Sequence, residues 1–289
     1  MIDWGDALVK ELAARRCIIF FGAGASASCV ATTGTSKGIP NWENLLKTLA
    51  SKIRNNSINQ NLANSLINEK KFLDAAEVIE SSLVNADYVD AIRDIFEIPR
   101  YRQSRMHEII LQIDPKIVVT TNFDTIYDKY CTQGDASEGY NIFKYTDSHL
   151  VANLRSPIRC VIKAHGCITN TDSIVFTRSG FFSAKQKCPQ FFKIIDALFL
   201  THTILFIGYS LTDPDIQIAL ENVNIAATSA RTHYFVTEAG THPALRKAAE
   251  KTYNLNFLEF EKHKFTELDD SLDELAVRVK SYREQNPDL

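Results

Sequence analysis

Short apolar runs rich in β-branched residues recur along the chain, at Cys17–Phe21, Ile117–Thr121, Cys160–Ala164, Thr203–Ile207, Tyr234–Thr237 and Phe257–Phe260. Most lack the polar alternation of a half-exposed strand. Strands covered on both faces of a parallel sheet read this way. Between them the spacing turns helical. Trp42, Leu45, Leu46, Leu49 and Ile53 share one face, with Asn41 as N-cap. Ala75, Ala76, Ile79 and Leu83 continue the pattern, as do Tyr88, Ile92 and Ile95. Leu268, Leu272, Leu275 and Val279 line a terminal helix, with Thr266 and Asp269 at capping-box spacing before it.

This alternation predicts an α/β fold, a doubly wound, Rossmann-like parallel sheet of about six strands. From about residue 41 to 112 the helical signal continues without a convincing strand, which predicts a helical insertion beside the sheet. A smaller segment, 178–200, carries Phe181, Phe182, Phe191, Phe192 and Ile195 and predicts one or two further helices. The 289 residues are read as a single domain, 1–289, with these two helical additions.

Composition narrows the classes. Hydrophobic residues make up 45% and charged residues 23%, and the formal charge is -3. No basic footprint favours direct nucleic-acid binding. The N-terminus is a charged amphipathic stretch without a signal-peptide core, and no apolar run approaches the roughly 18 residues that span a bilayer. The expected location is the cytoplasm, with no membrane contact. Cys17, Cys29, Cys131, Cys160, Cys167 and Cys188 form no Cys-x-x-Cys pair, so no zinc module and no metal are expected.

Four motifs follow predicted strands. Gly22-Ala23-Gly24-Ala25-Ser26 closes the first. Glycines let the backbone approach a pyrophosphate, and a following helix N-terminus adds amide donors; Gly24 should therefore tolerate no side chain. Gly-x-Gly after a strand is equally a plain turn. The third glycine of the usual dinucleotide fingerprint is absent, as is an acidic residue ending a second strand. Thr120-Thr121-Asn122-Phe123-Asp124 places short polar side chains at a carboxyl edge. There Asn122 can hold a ribose hydroxyl or a water, or simply cap the next helix. His165-Gly166 offers a group that takes a proton near neutral pH, although a lone histidine is often structural. Gly208-Tyr209-Ser210 leads to Asp213 as N-cap and Pro214 at the first helical position, a helix start whose amides suit a phosphate or ribose. An ordinary capped strand-to-helix turn reads the same.

Taken in order, with Gly38-Ile39-Pro40-Asn41-Trp42 between the first two, the series resembles that of the sirtuins from about Cys17 to Phe260. The resemblance implies NAD as the bound molecule and substrate. Gly22, Ala23, Gly24, Ser26, Pro40, Trp42, Thr121, Gly208, Ser210 and Asp213 would line its site. It implies further that Asn122 orients the ribose or the attacking water, that Asp124 supports the ribose or the loop, and that His165 acts as base. The chain departs from protein-deacetylating sirtuins. It has no zinc-binding cysteine pairs, an extra stretch at 28–37, and Asn41-Trp42-Glu43 where they carry Asp-Phe-Arg. Thr-Thr-Asn-Phe-Asp and Gly-Tyr-Ser-Leu-Thr-Asp-Pro-Asp are instead similar to the divergent bacterial branch, whose members consume NAD in defence against phage.

The resemblance thus implies an NAD glycohydrolase, releasing nicotinamide and ADP-ribose. The competing readings are an NAD-dependent protein deacylase and a non-catalytic nucleotide-binding sensor. Unchecked hydrolysis would drain the host, and the chain shows no sensor region. The expectation is therefore a homo-oligomer with a separate regulatory partner. Stand-alone chains of this branch resemble those paired with a hexameric HerA-type ATPase. The helical insertion and the last helix are the expected contact surfaces.

Overall fold

A computed structural model describes residues 1–32, 38–54, 56–133, 139–209, 220–221, 224–225 and 231–289. In chain order its helices are α1 (Asp6–Ala13), α2 (Ala23–Ser26), α3 (Trp42–Ala50), α4 (Ser57–Asn68), α5 (Phe72–Ser82), α6 (Asn85–Phe96), α7 (Arg105–Ile113), α8 (Ile126–Gln133), α9 (Leu150–Leu154), α10 (Arg178–Lys187), α11 (Pro189–Thr201), α12 (Pro243–Tyr253) and α13 (Phe265–Gln285). The strands are β1 (Cys17–Phe21), β2 (Ile117–Thr120), β3 (Tyr140–Lys144), β4 (Arg159–Lys163), β5 (Thr203–Ile207), β6 (His233–Glu238) and β7 (Leu255–Phe260).

The strands form one sheet of seven, in the order β3-β4-β2-β1-β5-β6-β7, with every pair parallel. β1 lies at the centre, and the chain winds outward from it in both directions, so the order reverses between β1 and β5. In such sheets ligands bind beyond the carboxyl ends at that reversal. The strand missing from the sequence reading is β3. It is an edge strand in which only Tyr140 and Phe143 are buried and Asn141, Ile142 and Lys144 are half-exposed, so no continuous apolar run marks it.

Side chains of successive strand residues point to opposite faces, and each face has its own core. Cys17, Ile19 and Phe21 pack with Val118, Val161, Leu205 and Ile207 under α1, α7 and α13. Ile18 and Phe20 pack with Val119, Ile162, Ile204 and Phe206 under α9 and α11. Each fully buried Ile, Leu or Phe contributes about 1.5–3 kcal/mol relative to exposure. A third core joins α3, α4, α5 and α6 through Leu46, Leu49, Ile67, Ala76, Ile79 and Ile92. It also takes in Phe123, Cys167, Ile168 and Phe176 from the loops after β2 and β4. The helices between β1 and β2 therefore rest on the carboxyl edge of the sheet, except α7, which packs on the sheet face.

Asn41 caps α3 as expected, its side chain accepting from the Asn44 amide at 2.9 Å. The Thr266–Asp269 box does not form: α13 starts a residue earlier, at Phe265, and its N-cap, Lys264, makes no side-chain cap bond. Asp213, Pro214 and the helix start expected there lie outside the described residues.

Candidate functional site

The turn after β1 is built by glycines packed on glycine. Gly22 donates its amide to the Ile207 carbonyl at 3.1 Å, and Gly24 donates to Gly208 at 2.8 Å. A Cβ on Gly24 would stand 2.7 Å from the Gly208 Cα, and one on Gly208, where φ is +61°, would stand 2.6 Å from the Ala25 nitrogen. Neither contact is tolerable, so β1 and β5 interlock at the reversal point through residues that need to be glycine. The sequence reading reserved Gly24 for a pyrophosphate; the Gly208 backbone is a nearer reason. The helix that follows, α2, is a single turn of four residues, so its contribution is local amides rather than a long helix dipole.

Register places the other motifs level with this turn. Phe21 pairs with Thr120 and Ile207, and Thr120 pairs with Lys163. Asn122 and His165 each lie two residues beyond that last pair, in the loops that follow the neighbouring strands β2 and β4. Asn122 Nδ2 donates to the Gly22 carbonyl and to Ser26 Oγ, both at 3.1 Å. A carbonyl can only accept, so these partners fix which end of the amide faces the turn. Ser26 Oγ donates in turn to Asp124 Oδ2 at 3.1 Å, and Asp124 Oδ1 accepts the Ile126 amide at 3.0 Å. Gly22, Ser26, Asn122 and Asp124 thus form one network, in which Ser26 and Asp124 are buried. Thr121 Oγ1 donates to the Tyr209 hydroxyl at 3.3 Å, tying β2 to the loop after β5.

His165 stands on a loop with little freedom. Its carbonyl accepts the Val175 amide at 2.9 Å, and its ring meets Phe181 edge-on at 5.9 Å. Gly166 has φ +83°, and a Cβ there would fall 2.1 Å from the Ser173 oxygen. Phe181 is itself capped by the Lys185 ammonium, 4.5 Å from the ring centre. Trp42 belongs to the helical core, packed edge-on at 5.2 Å against Phe176, which follows Val175 on the His165 loop. Pro40 is half-exposed just before α3, and Ala23 is exposed at the start of α2. Ser210 and Asp213 lie outside the described residues.

The sequence reading passed over a buried polar layer beneath the network. Lys163 is 1% exposed; its ammonium donates to the Asp124 carbonyl and lies 3.1 Å from Asp128 Oδ2. Burial alone would lower its pKa, but Asp128 opposes this and holds it above the usual lysine range. The signal was present: a lysine within an otherwise apolar strand demands a partner. Ser104 donates to the Ala25 carbonyl at 2.6 Å and forms a capping box with His107. The Ser104 amide donates to His107 Nδ1, so the ring's proton is on Nε2, where no described residue accepts it. Burial pushes the His107 pKa down to about 4, so this ring is neutral near pH 7. Ser-x-x-His is a capping-box spacing with an unusual fourth residue, so spacing alone assigns His107 no role.

Among the described residues no group of three or more His, Cys, Asp or Glu is arranged to hold a metal, and no helix is long and apolar enough to cross a membrane. The arrangement offers a glycine turn beside a fixed asparagine, with a histidine in the loop after the next strand.

Comparison with known proteins bears on the family of the chain. The SIR2-like domain family matches residues 116–258, which hold Asn122, Asp124, His165 and Gly208. NAD(+) hydrolase ThsA of Acinetobacter baumannii is 24% identical over 257 residues, 86% of this chain and 48% of that protein. NAD(+) hydrolase ThsA of Bacillus cereus is 23% identical over 226 residues, covering 78% of this chain and 44% of that protein. Defense-associated sirtuin 2 of Bacillus subtilis is 27% identical over 132 residues, 45% of this chain and 12% of that protein. The chain therefore spans about half the length of the ThsA relatives and a small part of the third. Residues 116–258 thus match a SIR2-like domain, and the strand order around them is that of a doubly wound parallel sheet.

Proposed function

We propose that this protein binds NAD across the carboxyl edge of the sheet and hydrolyses its nicotinamide–ribose bond, as an NAD-depleting effector in defence against phage. The observation that carries the reading is the placement of Asn122 and His165 two residues past the paired ends of the neighbouring strands β2 and β4, beside the interlocked Gly22–Gly208 turn. Relatives named NAD(+) hydrolase that cover most of the chain support it.

The chemistry follows from the groups available. The bond from ribose C1′ to the pyridinium nitrogen breaks, and its electron pair neutralises the departing nicotinamide. The leaving group therefore needs little acid assistance. The sugar left behind is oxocarbenium-like, and water adds to C1′ to give ADP-ribose and a proton. Asn122 spends its Nδ2 hydrogens on Gly22 and Ser26, so its Oδ1 is the atom presented to a ribose hydroxyl or to the water. His165 takes the proton from the water or through the ribose hydroxyl. Asp124 does not meet the substrate in this reading; it holds Ser26 and the turn. Gly22, Ala23 and Gly24 bring backbone close to the pyrophosphate. Thr121 and Gly208 line the adjoining wall, Pro40 and Trp42 close the site from the helical side, and the resemblance to sirtuins assigns Ser210 and Asp213 to the same ligand. No metal takes part.

Uncontrolled turnover would exhaust the host's NAD, so the activity is gated. We place the gate in a homo-oligomer and in a separate polypeptide, of which a hexameric HerA-type ATPase is the leading example. The cytoplasm, where NAD is abundant, is the proposed location. Purified protein incubated with NAD, alone and with its genomic neighbour, should release nicotinamide and ADP-ribose in equal amounts. NAD left intact under both conditions would overturn the reading.

A further inference from the structure

Lys163 is the one charged residue of β4 that is fully buried, and it costs the fold a desolvated ammonium. Its two partners are both at the candidate site. One is the main-chain carbonyl of Asp124, the other the carboxylate of Asp128 at 3.1 Å, on the first turn of α8. Asp124 in turn holds Ser26, and Ser26 holds the Asn122 amide. A continuous chain of contacts therefore runs from α8 through Lys163 to Asn122. His165 follows Lys163 by two residues, so the same strand end fixes both candidate groups.

We infer that Lys163 is a positioning residue: its buried ammonium, anchored by Asp128, clamps the Asn122–Asp124 turn so that the Asn122 amide meets the bound ribose in one orientation. The inference deepens the NAD-hydrolase reading and rests on it for its kinetic consequence, but the clamp itself is a property of the free protein. An ordinary structural ion pair would affect stability and leave the asparagine where it is. A clamp affects the asparagine even when stability is preserved, and displacing a reacting group by about 1 Å costs on the order of a hundredfold in rate.

The test uses K163M/D128N, which removes both buried charges together and so leaves neither uncompensated. In the free wild-type protein the two hydrogens of the Asn122 side-chain NH2, identified in NMR spectra by their loss in N122A, should exchange slowly with water, because both are donated. In K163M/D128N both should exchange at least about tenfold faster and move toward the shifts of a solvent-exposed amide. R283A, a destabilised variant far from the site, should leave them unchanged. With NAD the double variant should lose kcat by about tenfold or more with KM little altered, whereas R283A should keep its kcat. Should the double variant not fold, D128N alone, which keeps the lysine, gives the same readout at smaller amplitude. A wild-type protein that never cleaves NAD would overturn the hydrolase reading, and the amide signals would still decide the clamp. Unchanged Asn122 signals in a folded Lys163 or Asp128 variant overturn the clamp, whatever the rate.

Discussion

The site residues divide by what a substitution at each would reveal. Asn122→Ala and His165→Ala remove groups that point at the proposed reacting atoms, and each should lower NAD turnover by at least about a hundredfold. Melting temperature should change little, since neither side chain belongs to a core. A steady-state assay beside a thermal melt checks both halves. Gly24→Val is different. Its new side chain would meet the Gly208 backbone at under 3 Å, so the fold itself should give way. We expect a lower melting temperature without ligand as well as weaker NAD binding. A variant that melts normally and loses only binding would show that the turn has room the structure denies it.

Histidine titration supplies a second test at this scale. His107 and His233 are buried, and burial pushes each pKa down to about 4 from 6.5. Between pH 6.5 and 4 the unfolded chain takes up protons that the folded chain refuses. Stability should therefore be full above pH 6.5 and fall below it, by about 1.4 kcal/mol per pH unit for each histidine. Urea unfolding at pH 7 and pH 5 measures the slope. A His107→Gln variant should show a shallower slope, and an unchanged one would remove His107 from the account.

At the scale of elements, one arginine joins three helices. Arg283, near the end of α13, donates to the carbonyls of Leu12 and Ala13 at the end of α1 at 2.8 and 2.9 Å. It also donates to Ile113 and Asp114 at the end of α7, at 2.8 and 3.2 Å. These carbonyls lie at the ends of the two helices, where intrahelical donors run out, and a cation there meets the negative end of both helix dipoles. Arg283→Ala should cost about 2–4 kcal/mol of stability in chemical denaturation, with NAD turnover per folded molecule unchanged. A loss within error would mean that water replaces the guanidinium.

The same scale shows what the sequence made legible. Strands covered on both faces, such as β1 and β5, stood out because every residue is buried and all but Thr203 are apolar. β3 did not, because an edge position accepts Asn141 and Lys144. The order of the glycine, Asn122 and His165 motifs could be read, and so could their place after strands. Their connections could not. Ser26 bridging Asn122 and Asp124, Lys163 reaching Asp124, and Tyr209 meeting Thr121 are contacts across 39 to 98 residues of chain. Spacing carries no information about pairs so far apart, and only the buried lysine betrayed that a partner was needed. The α13 cap failed for a local reason: the helix begins before the Thr266 hydroxyl can serve it.

For the whole molecule, three layers of helix meet one sheet, and the helical core between α3 and α6 rests on the two loops that carry Asn122 and His165. Substrate would reach the sheet edge past those helices, which makes them the natural place for a partner to act. Mixing with the genomic neighbour should change both the light-scattering mass and the rate of NAD loss; a strict monomer with full activity and no bound neighbour would contradict the gating proposal. Chelator should alter neither rate nor melting temperature, and stoichiometric zinc by elemental analysis would overturn the metal-free mechanism.

The central claim is that the Gly22–Gly208 edge, with Asn122 and His165, hydrolyses NAD. Its most direct test is one quantity, the moles of nicotinamide and ADP-ribose formed from NAD in the absence of any acetylated peptide. The wild-type protein, partner included, is compared with N122A and H165A. The account predicts equal amounts of the two products from the wild type and essentially none from either variant. Nicotinamide formed only when acetylated peptide is added, or variants that keep the wild-type rate, would contradict it.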